Sequence, residues 1–207
     1  MADTGRYYIY GSKTCPWAHR AIIFRHLKGL AEHIGLFLVG AGDQGYAVDP
    51  AGKHIVPGTK IQIKYLHELY ALADKSYTGR VTVPTLWDSK KSTIVNNESS
   101  EIIKMLNSEF NRIGNGAYDY YPKDLEDEIE AVNEMVYHNV NNGVYKAGFS
   151  TSQQAYEEAY DNLFDAFDKM EGILNEQRYL AGDQITVADW RAFPTLFRFD
   201  TVYHYAF

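Results

Sequence analysis

The sequence predicts an α/β domain over residues 1–106 and an all-α domain over residues 123–207, joined by a linker over residues 107–122. Three observations predict it. Strand and helix signals alternate up to residue 106. Apolar residues recur at helical spacing from Lys123 onward. The stretch between carries Asn, Gly, Tyr and Pro without periodicity. In order, Tyr7 to Tyr10 predicts a strand. Pro16 to about Leu30 predicts a helix with Ala21, Ile22, Ile23, Leu27 and Leu30 as its apolar face. Ile34 to Val39 predicts a second strand, stopped by Gly40. Residues 40–60 are rich in Gly, Asp and Pro and predict a long loop, and loops of that length usually serve a function. Ile61 to Ala73 predicts a helix on Ile61, Tyr65, Leu69 and Leu72. Val81 to Trp87 and Thr93 to Val95 predict a strand pair joined by the polar turn Asp88–Lys91, and Glu98 to Leu106 a short helix. The order βαβαββα is that of a thioredoxin-like domain.

In the second domain Leu125, Ile129, Val132, Val136 and Val140 form one helical stripe. Tyr156, Tyr160, Leu163, Phe167, Met170 and Leu174 form another. Gly182, after Arg178-Tyr179-Leu180, ends the second helix or its extension. Thr186 caps a third, with Asp189 as the acidic partner three residues on. Pro194 should kink that helix, because proline removes a hydrogen bond and crowds the preceding turn.

Composition narrows the function. The chain of 207 residues is 45% hydrophobic, enough for a sizeable core, and carries a net charge of −7, which argues against non-specific nucleic-acid binding. Its single cysteine excludes an intrachain disulfide. The first residues, Met1 to Arg6, hold no apolar signal core and no run approaches a membrane span, so the cytosol and no membrane partner are expected. The seventeen tyrosines suit a pocket for aromatic or phenolic ligands, with a tyrosine-rich surface and core as the alternative.

Cys15 is the chemically informative residue. It stands in Thr14-Cys15-Pro16-Trp17-Ala18-His19-Arg20, between a predicted strand and a predicted helix. Unpaired N–H groups and the backbone dipole at a helix N-terminus stabilise a thiolate. Pro16 suits the first helical position, which requires no N–H. Lys13, His19 and Arg20 add positive charge nearby in sequence. A buried structural cysteine rarely lies at such a turn, so a catalytic Cys15 with a depressed thiol pKa is expected.

Two further segments fit a tripeptide ligand of the γ-glutamyl-cysteinyl kind. Val83-Pro84 ends a predicted strand where a cis proline in a thioredoxin-like fold faces the cysteine and leaves a backbone edge open to pairing. Asn96-Asn97-Glu98-Ser99-Ser100-Glu101 leads into a helix whose N-terminus and serine hydroxyls suit a ligand carboxylate, while Glu98 suits an ammonium. An ordinary helix cap explains the same residues without a ligand. In the helical domain, Asn139 to Phe149 is rich in Asn and Gly where a helix should run, so close backbone packing or a site must offset the cost. Tyr137, Asn141 and Tyr145 share a face at i, i+4 spacing there, and His138 reads as a surface histidine.

These strings, together with Gly79-Arg80-Val81-Thr82-Val83-Pro84, Thr93 to Ile103 and Arg198-Phe199-Asp200-Thr201-Val202-Tyr203, resemble the glutathionyl-hydroquinone reductases, the Xi class of glutathione transferases. The resemblance runs over almost the whole chain. It implies a glutathione transferase fold, C-terminally shortened: family members continue past the position of Phe207 with further helices that hold another substrate tyrosine and part of the homodimer contact. It implies that the Cys15 thiolate attacks the glutathione sulfur of an S-glutathionyl-hydroquinone, and that a second glutathione resolves the mixed disulfide. The lone cysteine fits independently, since no second protein thiol is present to resolve it. By the same resemblance Arg80, Val83, Glu98 and Ser99 bind glutathione, and Tyr145 and Tyr203 hydrogen-bond the hydroquinone oxygens. Glutathione is the co-substrate and no metal is expected. The family's glutathione-touching tryptophan is replaced here by Tyr46, after Gly45. Two other functions remain open from sequence: an Omega-like thioltransferase or dehydroascorbate reductase, and a non-catalytic protein that holds glutathione or an aromatic ligand.

Overall fold

The structure, a computed structural model, describes residues 2–207. The chain divides into two compact units, one running to Tyr118 and one spanning Asp119–Phe207.

The first unit is built on a four-stranded sheet. Strand β1 (Tyr7–Gly11) leads into helix α1 (Pro16–Leu27) and then β2 (Gly35–Leu38). Helix α1 stops short of Leu30: Lys28 is its C-cap and Gly29 follows at φ +63°, a conformation that glycine adopts without strain. Residues 40–60 are more structured than a loop. Strand β3 (Gly40–Gly42) pairs with β4 (Gly45–Ala47), and β5 (His54–Ile55) pairs with β6 (Gln62–Ile63). Residues 61–65 therefore do not open the next helix as their spacing suggests. Gln62 and Ile63 are held as a strand, Tyr65 is the N-cap, and α2 runs only over Leu66–Ala73. Strands β7 (Thr85–Asp88) and β8 (Thr93–Asn96) follow, then α3 (Ser99–Ser108).

The main sheet has the order β2-β1-β7-β8, with β1 parallel to β2 and the other pairs antiparallel. Ile9, Leu86, Trp87, Phe24, Ile102 and Leu106 are buried around it. Arg6 closes one end of β1 on Asp88, with Nε donating to Oδ1 at 2.9 Å and Nη2 to Oδ2 at 2.5 Å. The stretch after α3 is fastened to the unit. Phe110 packs edge-on against Tyr7, the Asn115 N–H donates to the Lys28 carbonyl at 2.6 Å, and buried Lys28 donates through Nζ to the Tyr118 carbonyl at 2.7 Å.

The second unit is helical. A 3₁₀ turn (Lys123–Leu125) opens α4 (Glu126–Met135), which passes through a π-helical segment (Val136–Asn141) into α5 (Gly143–Gly148). Helix α6 (Gln153–Glu176) and α7 (Val187–Arg198) follow, then a second π-helical segment (Phe199–Tyr203) and the short α8 (His204–Ala206). Ile129, Val132, Val136 and Val140 are buried as their spacing predicts. On α6 Leu163 and Met170 are buried as expected, Ala159 and Ala166 are buried beside them, and Tyr160 and Leu174 are exposed. Helix α5 packs on α6, and a Cβ on Gly143 would lie 3.6 Å from Leu163, an ordinary van der Waals distance. Thr186 and Asp189 form the expected capping box, and α7 runs on through Pro194.

Candidate active site

Cys15 is the N-cap of α1. Its backbone is extended, Pro16 occupies the first turn, and the Ala18 N–H donates to Sγ at 3.5 Å. This is the donor that a thiolate at a helix N-terminus requires. Across from it the Val83–Pro84 peptide is cis, and the thiol lies 3.5 Å from the Val83 carbonyl as a donor. Val83 itself is buried, and both residues pack against one core cluster with Tyr10, Leu66 and Trp87. Sulfur is half-buried and takes part in no disulfide.

The N-terminus of α3 is capped by Glu98, a residue whose role the sequence left between ligand and cap. Its carboxylate accepts from the Ser100 N–H at 3.2 Å, and its own N–H donates to Asn96 Oδ1 at 2.7 Å. Glu98 is exposed, whereas Ser99 is buried and accepts from Arg20 Nη1 at 3.2 Å. Arg20 is 1% exposed and also lies over the Trp17 ring at 4.6 Å. Its guanidinium thus reaches the start of α3. The clue was present: a charged residue stands among the buried α1 positions Ala18, Ala21 and Phe24.

Tyr46 stands on β4 and lines a shallow groove of about 370 Å³ with Val81, Gln44 and His67. Arg80 is exposed on the stretch before Val83, where its carbonyl accepts from the Tyr77 hydroxyl at 2.7 Å. One pair had no sequence signal. The buried Tyr10 hydroxyl meets His54 Nε2 at 2.9 Å, and burial pushes the Tyr10 hydroxyl pKa upward and the His54 pKa downward.

In the second unit Tyr145 and Tyr203 come together, with hydroxyls 3.2 Å apart and rings edge to face at 5.6 Å. Phe207 packs on both rings. Gly148 makes room for it, since a Cβ there would fall 2.1 Å from the Phe207 ring. Close packing therefore accounts for one glycine of the Asn139–Phe149 string. Asn141 is buried while Tyr137 is exposed, so the two do not share an environment as their spacing suggests. His138 lies on the surface, 3.2 Å from Glu134. An apolar cavity of about 210 Å³ adjoins Tyr203, Phe164 and Phe199. It is smaller than usual ligand pockets. Among the described residues no three His, Cys, Asp or Glu side chains gather as a metal site requires, and no helix is long and apolar enough to cross a membrane.

A thiol at a helix N-cap opposite a cis-prolyl edge, on a βαβαββα frame followed by a helical unit, defines a thioredoxin-fold protein of the transferase kind. Family models for the glutathione S-transferase N-terminal and C-terminal domains match residues 14–109 and 153–207. The chain is 49% identical over 204 residues to the glutathionyl-hydroquinone reductase PcpF of Sphingobium chlorophenolicum, covering 98% of this chain and 65% of that protein. It is 48% identical to the glutathionyl-hydroquinone reductase YqjG of Escherichia coli, covering 98% of this chain and 62% of that protein. It therefore spans less than two thirds of the length of these curated relatives. The glutathione-bound structure of YqjG superposes with a TM-score of 0.92 at 47% identity, over 100% of this chain and 68% of that one. The glutathione transferase Xi 1 of Trametes versicolor superposes with a TM-score of 0.90 at 46% identity, over 99% and 73%. The chain belongs to the glutathione S-transferase family, in its Xi class.

Proposed function

We propose that the chain reduces S-glutathionyl-hydroquinones to hydroquinones with glutathione as reductant. Residues 1–106 would bind glutathione through Tyr46, Arg80, Val83, Glu98 and Ser99, and residues 123–207 would hold the hydroquinone through Tyr145 and Tyr203. The Cys15 thiolate attacks the glutathione sulfur of the adduct. The carbon–sulfur bond breaks, its electron pair leaves with the aromatic carbon, and that carbon takes a proton, for which a tyrosine hydroxyl is a suitable donor. The Cys15–glutathione disulfide that remains is attacked by a second glutathione thiolate. This releases glutathione disulfide and regenerates Cys15.

The observation that carries this reading is the position of the single cysteine: Sγ accepts the Ala18 N–H at 3.5 Å at the start of α1 and faces the Val83 carbonyl. The names of the two curated relatives support the substrate class. The test supplies an S-glutathionyl-hydroquinone and glutathione and follows hydroquinone and glutathione disulfide by chromatography. Equal yields of the two, at a rate far above that with dehydroascorbate, are expected. A preference for dehydroascorbate favours the Omega-like thioltransferase, and binding without turnover favours a ligand-holding protein.

A further inference from the structure

The substrate tyrosine Tyr145 stands downstream of a π-helical segment, and the sequence spacing explains why the segment is there. The buried residues Val132, Val136, Val140 and Val144 recur in three steps of four. On an α-helix of about 3.6 residues per turn each such step drifts by roughly 40°, so three would carry the last residue far round the helix. A π turn holds more residues and closes with bonds five apart. The Asn142 N–H donates to the Tyr137 carbonyl at 3.0 Å in this way. The extra residue removes the drift, and Val140 and Val144 are 0% and 1% exposed. Tyr145, next in the chain, is thereby aimed so that its hydroxyl meets that of Tyr203 at 3.2 Å.

Asn141 ends this segment and is 1% exposed. Its Nδ2 donates to the Arg191 carbonyl at 3.1 Å and to Thr195 Oγ1 at 2.9 Å, on either side of Pro194 in α7. That turn is weakened by proline, which supplies no N–H. Helix α7 then passes into the second π segment, closed by the His204 N–H on the Phe199 carbonyl, and this segment ends on Tyr203. One side-chain amide thus ties the element that delivers Tyr145 to the element that delivers Tyr203.

We propose that Asn141 is a positioning residue: its clamp on α7 sets the rotational phase of α5 and so the spacing of the Tyr145 and Tyr203 hydroxyls. The role in turnover rests on the reading of these tyrosines as hydroquinone partners, but the spacing itself is measurable without substrate. A fluorotyrosine placed at position 145 reports by ¹⁹F NMR on its neighbour, and Tyr203→Phe should shift its resonance. In Asn141→Ala, and in the isosteric Asn141→Asp, which lacks the amide donors, that response to Tyr203→Phe should disappear. It should persist in Met170→Ala, a control in the α6 core. In parallel, Asn141→Asp should lower kcat on an S-glutathionyl-hydroquinone by roughly 10- to 100-fold with the KM for glutathione unchanged. Should Asn141→Ala fail to fold, Thr195→Val removes the Thr195 acceptor and gives the same readout at smaller size. A ¹⁹F response that survives in the Asn141 variants overturns the proposal, as does a kcat loss no larger than that of Met170→Ala. Absence of hydroquinone release from every protein would overturn the assigned reaction alone, because the resonance still decides the positioning.

Discussion

The two units place their candidate functional groups by different means. In the first, the thiol, its facing carbonyl and Glu98 sit at or beside the ends of regular elements. Cys15 caps α1, Glu98 caps α3 and Val83 precedes β7. Short-range chemistry, an N–H that needs an acceptor or a proline that donates none, puts them there. In the second unit, Tyr145 and Tyr203 lie after and at the end of π-helical segments. Their positions follow from an accumulated rotation along the helix and from a cross-helix clamp. Local rules therefore position the thiol, and tertiary packing positions the phenols. The first unit should tolerate changes that leave its caps intact, whereas the second should respond to changes remote from the phenols.

The largest expected effect tests the first half of the comparison. Cys15→Ala should abolish hydroquinone release while far-ultraviolet circular dichroism and melting temperature stay close to wild type, because the cap contact of a thiol is weak and Pro16 remains. Full activity in that variant would remove the thiol from the mechanism.

The next effect concerns stability in the first unit. Asp88 is buried against Arg6, which holds its carboxyl below the usual carboxylate range. Asp88→Asn removes the charged, two-pronged acceptor of Arg6 and leaves it the more distant Asp3, so it should lower the urea midpoint at pH 7. A carboxylate with a depressed native pKa adds stability above its unfolded value, near 4, and loses it as the pH falls through the native value. The gap between wild type and Asp88→Asn should therefore narrow from pH 6 to pH 3. A constant gap would mean that packing, and not the ion pair, holds β1 to β7.

A smaller effect tests the capping reading of α3. Glu98→Gln keeps an oxygen for the Ser100 N–H but removes the charge, so calorimetry should show glutathione binding weakened by about tenfold with the melting temperature nearly unchanged. A large loss of stability with unchanged affinity would make Glu98 a cap alone. The smallest effect belongs to the second unit, where Thr186→Ala removes one member of the capping box and should cost about 1 kcal/mol, read from the shift in urea midpoint.

Those elements that follow local rules were the legible ones. The thiol at the helix start, the strand pair around Asp88–Lys91 and the Thr186–Asp189 capping box can all be read from a few adjacent residues. Three features were not legible, and a fourth only in part. Ile61 to Tyr65 has helical spacing, yet pairing with His54 and Ile55 holds Gln62 and Ile63 as a strand. Tyr160 and Leu174 fit the α6 stripe but are exposed, and the buried face runs through Ala159 and Ala166 instead. Sequence places Arg20 near Cys15 in the chain, and only the fold shows that its guanidinium reaches Ser99, on another helix. The steps of four through Val144 did hold a signal for the π segment, but its meaning depends on knowing that all four valines are buried.

The account stands on an ionised, reachable sulfur at Cys15. Mass spectrometry of the intact protein after incubation with glutathione disulfide measures this most directly. A single glutathione adduct is predicted, located on Cys15, removed by added glutathione, and formed with a pH profile whose midpoint lies below that of a free cysteine thiol, about 8.5. A protein that stays unmodified, or reacts only once unfolded, would contradict it.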